Sequence, residues 1–298
     1  MIYLSSAIIF YFLNFIYIKI WKEISKKTPT GVGFFLIIPL LYFLFKFDLK
    51  LFYSISLILF SFIYFFDDLI GLNFLWRILI QILTSVIIYF WFLDEFFFVH
   101  FFLIVSLFFI LANSLNFQDG EDLNISILLF MIFLAFYFFS SNLVIKNVSE
   151  LILIYLLIFS IFNGKKNNLY FGDAGCFISS ILIFLFIIND IENLLLVKVI
   201  LSIIFFPILE IFLVNLYRIY KKENLLDRNY YYIYQILAKK IKYKLYLLPN
   251  IVFAFVNYFI SSELSINMNV ILFLIFINLF LSGILRFVIN KFPNLHEN

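Results

Sequence analysis

Residues 50–68 read KLFYSISLILFSFIYFFDD. Lys50 opens the run, no other charge appears through Phe66, and Asp67 and Asp68 close it. A membrane-spanning helix needs about 20 mostly apolar residues, with a range of roughly 17–25. The stretch therefore reads as a spanning helix that delivers two carboxylates to one membrane face. Outward from it the same pattern recurs, at 2–18, 32–47, 75–93, 96–112, 125–141, 149–162, 175–190, 194–217, 247–262 and 268–289. The expectation is an all-α, polytopic transmembrane bundle of ten or eleven spans.

Composition excludes a soluble fold. Of 298 residues, 65% are hydrophobic and 13% charged, against about 45–50% and about 25% in soluble domains. The mean hydropathy is +1.10, and a compact globule of this size has too much surface to hide that apolar content. The 46 Phe residues, with abundant Ile, Asn, Lys and Tyr, look like the bias of an AT-rich genome, so no single Phe is given functional weight. A net charge of +3 is too small to imply nucleic acid. The single cysteine, Cys176, excludes an intramolecular disulfide and a cysteine metal cluster. No repeat or Pro/Gly-rich linker divides the chain, which reads as one domain, 1–298, with a basic, Tyr-rich loop at 218–246. An interfacial amphipathic helix is expected there, from Asn229 to Tyr246.

Basic residues set the orientation. Counted over alternate loops, 17 of the 21 Lys and Arg fall on one side and four (Lys46, Lys50, Lys146, Lys198) on the other. The Lys-rich side is expected to be cytoplasmic. That places the N-terminus outside and the C-terminus inside, and a first apolar stretch with no basic residues before it argues against a cleaved signal peptide.

The acids then converge on the cytoplasmic face. Asp67 and Asp68 end the third span. Asn113, Asn116, Asp119 and Asp122 follow the fifth at every third residue, and Asp173 precedes the eighth within Phe171-Gly172-Asp173-Ala174-Gly175. Three-residue spacing lays the second group along one drifting helix face if the helix continues beyond the membrane. Adjacent carboxylates near a low-dielectric boundary repel unless a cation compensates. Mg²⁺ is a natural candidate, because it binds through one or two carboxylates plus substrate phosphates. The Gly-Asp-Ala-Gly turn can offer backbone N–H groups to an anion. Phosphate chemistry with a metal at the cytoplasmic surface is the resulting expectation.

In this order the clusters resemble the polyprenyl-phosphate N-acetylhexosamine-1-phosphate transferases (glycosyltransferase family 4, the branch initiating O-antigen and related glycans, related to the phospho-N-acetylmuramoyl-pentapeptide transferases). Asp67-Asp68 is similar to the family's Asp-Asp motif, with Arg77 and Gln81 downstream. Asn113 to Asp122 resembles its Asn-x-x-Asn-x-x-Asp-Gly-x-Asp-Gly segment, and Gly172-Asp173-Ala174-Gly175 its Gly-Asp-x-Gly loop. Thr28 to Gly33 is more loosely similar to its first Pro/Gly loop, and Pro207 to Glu210 with Asp227-Arg228 parallels its ninth helix and last large loop. The resemblance implies a multi-pass inner-membrane enzyme with a cytoplasmic active site. It would move HexNAc-1-phosphate from a UDP-sugar to polyprenyl phosphate and release UMP. It implies Mg²⁺, with Mn²⁺ as the substitute, held by Asp173 and Asp67. Asp67, Asp68 and Asp173 would be catalytic; Asn113, Asn116, Asp119, Asp122, Arg77, Arg228, Tyr230 and Tyr232 would bind substrate. Partners would be the two substrates, the lipid bilayer and a second copy in a homodimer, with no nucleic acid.

Three departures stand out. The family's His-x-His-His motif is replaced by Tyr230-Tyr231-Tyr232-Ile233; tyrosine donates a hydrogen bond but cannot become a cation as histidine does. The Gly expected after Asp122 is Leu123, and Glu210 replaces a usual Asp. Two other readings compete with the transferase: an inactive homologue serving as a scaffold, and a secondary transporter. Transport would favour polar groups at the midplane, where this chain has few.

Overall fold

The protein is described by a computed structural model over residues 2–24, 28–47, 51–93, 96–165, 169–225, 229–241, 244–263 and 268–291. Lys26, Lys27, Lys50, Lys166, Lys242 and His296 lie outside the described residues. The described residues are helical, with no strand. The helices are α1 (Ile2–Ile24), α2 (Ile37–Lys46), α3 (Leu51–Ile70), α4 (Phe74–Phe92), α5 (Phe98–Gln118) and α6 (Asn124–Phe139). They continue with α7 (Leu143–Asn163), α8 (Gly172–Asn189), α9 (Leu194–Tyr220), α10 (Ile233–Lys240), α11 (Leu248–Glu263) and α12 (Met268–Asn290). Among the described residues nine helices are long and apolar enough to cross a membrane, and Val32–Lys46 and Asn124–Phe139 are shorter apolar helices. The fold is an all-α polytopic bundle.

Three boundaries differ from expectation, each for a local reason. α7 starts at Leu143 rather than 149, because the Asn142 side chain accepts the N–H groups of Val144 and Ile145 and so caps the helix early. α5 ends at Gln118, so Asp119 and Asp122 are not on a continued helix face. The expected amphipathic helix over 229–246 is reduced to the eight residues of α10, with Tyr232 and Ile241 extended at its two ends.

The chain divides into two compact units, Met1–Leu196 and Val197–Asn298. In the first, α8 is the hub: 78% of it is buried, against 17% of α1. A helix apolar all round must be enclosed, and aromatic side chains do the enclosing. Phe177 stacks on Tyr64 of α3 with ring centroids 3.9 Å apart and meets Phe108 of α5 edge-on. Phe186 contacts Phe43 of α2 and Phe133 and Phe136 of α6. Large apolar side chains such as Phe45 and Phe98 stand exposed, the surface that water would not tolerate and lipid tails would.

In the second unit Phe206 of α9 stacks on Phe253 of α11 at 3.7 Å. Buried amides and hydroxyls tie three helices. Asn278 of α12 donates to Asn257 of α11 (2.6 Å), Asn257 donates to the carbonyl of Ser202 in α9, and the Ser202 and Ser261 hydroxyls meet at 3.1 Å. In lipid such polar contacts supply the association that hydrophobicity cannot.

If α8 is the hub, truncating its central ring should be costly. Phe177→Ala is expected to destabilise by about 3–5 kcal/mol, read as a lowered thermal midpoint of the helical signal in detergent.

Candidate active site

The site grows from the end of α3. Gly71, with φ +70°, ends that helix in the left-handed conformation that glycine adopts freely, its N–H bonded to the Asp67 carbonyl. The Asp67 carboxylate accepts the N–H of Leu72 at 2.6 Å, which turns the chain into α4. One turn into α4, Arg77 comes back onto Asp67, with Nε 2.6 Å from Oδ2 and Nη2 3.1 Å from Oδ1. The remaining arm reaches α8, where Nη1 lies 2.8 Å from Oδ2 of Asp173. One guanidinium thus bridges two carboxylates that are 106 positions apart in sequence. The planar fork of arginine suits that double task; a lysine would not match it.

Asp68 does something different. Its Oδ1 accepts the N–H of Asp173 and its Oδ2 that of Ala174, both at 2.9 Å. Asp119 accepts the N–H groups of Gly172 (2.7 Å) and Phe171 (3.4 Å). Two carboxylates from α3 and the end of α5 therefore cap α8 from outside its own sequence. The backbone donors of the Gly-Asp-Ala-Gly turn, expected to face an anion, are taken by these side chains. Burial pushes the Asp119 carboxyl up to about 7, although its two backbone donors pull the other way.

A glycine contact makes this approach close enough. The first loop lies along the start of α8: Pro29 O accepts from Tyr170 N, and Phe171 O from Gly33 N. A Cβ on Gly33 would sit 2.5 Å from the Cα of Gly175, and one on Gly172 would overlap the backbone of Gly31. Four of the chain's eight glycines meet here. Thr30 donates to Asp68 (3.4 Å), and the hydroxyl of Tyr17 in α1 donates to the Thr30 carbonyl (2.5 Å).

The predicted residues separate accordingly. Asp67, Asp68, Arg77, Asn116, Asp119 and Asp173 come together, with Asn116 beside the Asp173 carboxylate. Asn113 sits one turn earlier on α5 and donates to Gln81 of α4 at 3.0 Å. Asp122 is buried in the turn beyond α5. Tyr230 and Tyr232 belong to the second unit. Tyr230 is exposed, with the Lys239 ammonium 4.2 Å from its ring centroid, and Tyr232 is buried. Between them Tyr231 donates to Glu223 (2.7 Å), which holds its phenol above the usual value. Asp227 and Arg228 lie outside the described residues.

Two contributors gave no sequence signal. Tyr17 is one. The other is Asn163, at the end of α7, whose side chain accepts from Leu123 N and donates to Leu169 O, joining the turn after α5 to the approach to α8.

Among the described residues no three His, Cys, Asp or Glu side chains are grouped to hold a metal by themselves. Asp67 and Asp173 are hard oxygen donors whose charge is met by a side-chain cation, and Asp173 is the more open (20% exposed against 1%). That donor set fits Mg²⁺, which takes one or two carboxylates and fills its octahedron with waters and phosphates. It does not fit a metal that requires a closed protein cage.

Residues 50–191 match the family described as Glycosyl transferase family 4. The matched region is just under half of the chain, lies within the first unit, and contains every residue of the carboxylate–arginine cluster. The match supports the glycosyltransferase family 4 superfamily and, in general, a membrane transferase of the phospho-sugar type. No curated protein matches the chain.

The turn after α5 provides a test. Leu123 has φ 64°, a left-handed conformation that costs a non-glycine residue roughly 1–2 kcal/mol. Leu123→Gly is expected to hold or raise stability by up to about 1 kcal/mol. Leu123→Val, β-branched, should lower it. Denaturant midpoints of the two variants in detergent decide the sign.

Proposed function

We propose that the protein transfers HexNAc-1-phosphate from a UDP-sugar to polyprenyl phosphate, releasing UMP, on the cytoplasmic face of the inner membrane. The observation that carries this reading is the cluster at the start of α8. There Asp67 and Asp173 flank Arg77, and Asn116 lies beside Asp173. Phosphoryl transfer asks little covalent chemistry of a protein; it asks for position and for charge matched to phosphate oxygens.

In this reading an oxygen of the acceptor phosphate attacks the sugar-bearing phosphorus of the UDP-sugar. The bond from that phosphorus to the bridging oxygen breaks, and UMP leaves with the electron pair. A phosphomonoester has a second pKa near ~6, so the acceptor is largely dianionic at neutral pH without a strong base. Asp173 and Asp67 would hold Mg²⁺, which when bound neutralises phosphate charge. Arg77 supplies a fixed positive charge between the same two carboxylates. Asp68 and Asp119 act through position, since their oxygens hold the backbone that carries Asp173. Asn113, Asn116 and Asp122 would bind the donor. Arg228, Tyr230 and Tyr232 are the remaining residues of the proposed substrate-binding set, and of the two tyrosines Tyr230 is the exposed one.

Membranes containing the protein, given Mg²⁺, polyprenyl phosphate and a panel of UDP-HexNAc donors, should release UMP. No release with any donor from folded protein would refute the transferase reading. Asp173→Asn should lower turnover by about 100-fold or more while the protein still folds.

The orientation has its own test. The one native cysteine is buried, so it stays silent to an impermeant maleimide. Lys46→Cys should label in intact cells, and Lys221→Cys only after lysis; the reverse pattern would invert the bundle.

A further inference from the structure

The second unit holds a cavity of about 520 Å³ between α9, α10 and α12. Its walls are apolar: Leu213 and Val214 on α9, Ile236 on α10, Leu279 and Gly283 on α12. Among the described residues one cation lines it, Arg286, one turn beyond Ser282 on the same face of α12. Nη1 of Arg286 donates to the Tyr231 carbonyl at 2.8 Å, and Nη2 lies 3.4 Å from Glu210. A guanidinium carries five N–H donors, so donors remain for an anion. The same Glu210 oxygen accepts the N–H of Ile233 at 2.5 Å, so its contact with Arg286 is the longer of the two.

The helices around the cavity all end in cations. Lys221 and Lys222 follow α9, Lys239 and Lys240 close α10, and Lys291 follows α12. Among the described residues of these ends only Glu210 and Glu223 oppose them. An apolar cavity lined by an arginine, between helices whose ends carry lysines, has the complement of an amphiphilic anion. Basic pockets between membrane helices hold acidic lipid headgroups for this reason.

We propose that this cavity binds one acidic phospholipid of the bilayer, its phosphate on Arg286 and a chain segment along the α9–α12 wall. None of the residues lining the cavity belongs to the carboxylate–arginine cluster, and the inference stands whether or not the transferase reading does.

Gly283 allows a clean test. A Cβ built on it meets no atom within 4 Å, so a large side chain enters the cavity without moving the backbone, and leaving glycine raises helix propensity. The full-length protein is purified and titrated with phosphatidylglycerol or phosphatidylcholine, and bound lipid is counted by native mass spectrometry. Wild type should retain one phosphatidylglycerol with about tenfold preference over phosphatidylcholine. Gly283→Phe should lose it, and Arg286→Gln should weaken it by about fivefold. Equal retention of phosphatidylcholine, or undiminished binding by Gly283→Phe, overturns the proposal. So does displacement of phosphatidylglycerol by equimolar polyprenyl phosphate, which would make the cavity the acceptor's. Should Arg286→Gln fail to fold, Gly283→Phe alone decides. The readout is mass, not turnover, so its failure is distinguishable from failure of the transferase assay.

Discussion

A helix that begins inside protein leaves backbone N–H groups that water cannot satisfy, and near a low-dielectric boundary each one left unmade is costly. α8 is such a helix. Its first turn is enclosed, and no side chain within its own sequence caps it. Asp68 and Asp119 arrive from α3 and the end of α5 to accept four of these groups, from Phe171 to Ala174. The helix dipole favours negative charge at that end, so the acids that neutralise the backbone also gain from it. Once these bonds form, the ends of α3, α5 and α8 are fixed with respect to one another, and the placement of Asp173 follows.

Two further features depend on that arrangement. Carboxylates can approach the turn closely only if the chain crossing it has no Cβ, which accounts for the meeting of Gly31 and Gly33 with Gly172 and Gly175. Bringing Asp67, Asp68, Asp119 and Asp173 together concentrates negative charge, and Arg77 answers it by bonding to Asp67 and Asp173, the two acids that do not cap α8. The second unit uses the same device on a smaller scale. Glu210, buried within α9, accepts the first N–H of α10 and meets Arg286. In both units a buried carboxylate from one helix starts another, and an arginine keeps the charge in balance.

The spans were legible because the bilayer dictates their length; eleven apolar segments in sequence match nine long and two short apolar helices among the described residues. Where reading failed, a side chain overrode pattern. Lys146 was counted in a loop and the span expected from 149, but Asn142 caps a helix that starts at Leu143. The three-residue rhythm from Asn113 to Asp122 suggested one continuous face, yet α5 stops at Gln118 and the later acids turn away from it. That acids gather at one membrane face was visible from their order. Which acid caps α8 and which bonds to Arg77 was not, because the bonds from Asp68 to α8 span 105 and 106 residues and leave no local trace. Leu123 was visible as a departure from a Gly-containing pattern, and its positive φ gives the physical reason glycine suits that place.

The tyrosine run follows the same logic of satisfied backbone. Tyr231 has its N–H on Asn229, its carbonyl on Arg286 and its hydroxyl on Glu223, so it is committed to holding the loop. Tyr232 is buried, which leaves Tyr230 as the exposed phenol. A phenol at neutral pH brings a donor and no charge, whereas an imidazole can bring both. Lys239, 4.2 Å over the Tyr230 ring, supplies the charge that the phenol lacks. A hydroxyl and an ammonium on neighbouring side chains divide between them what one protonated histidine combines. Tyr230 and Lys239 together therefore give this loop the capacity to donate to, and attract, an anion.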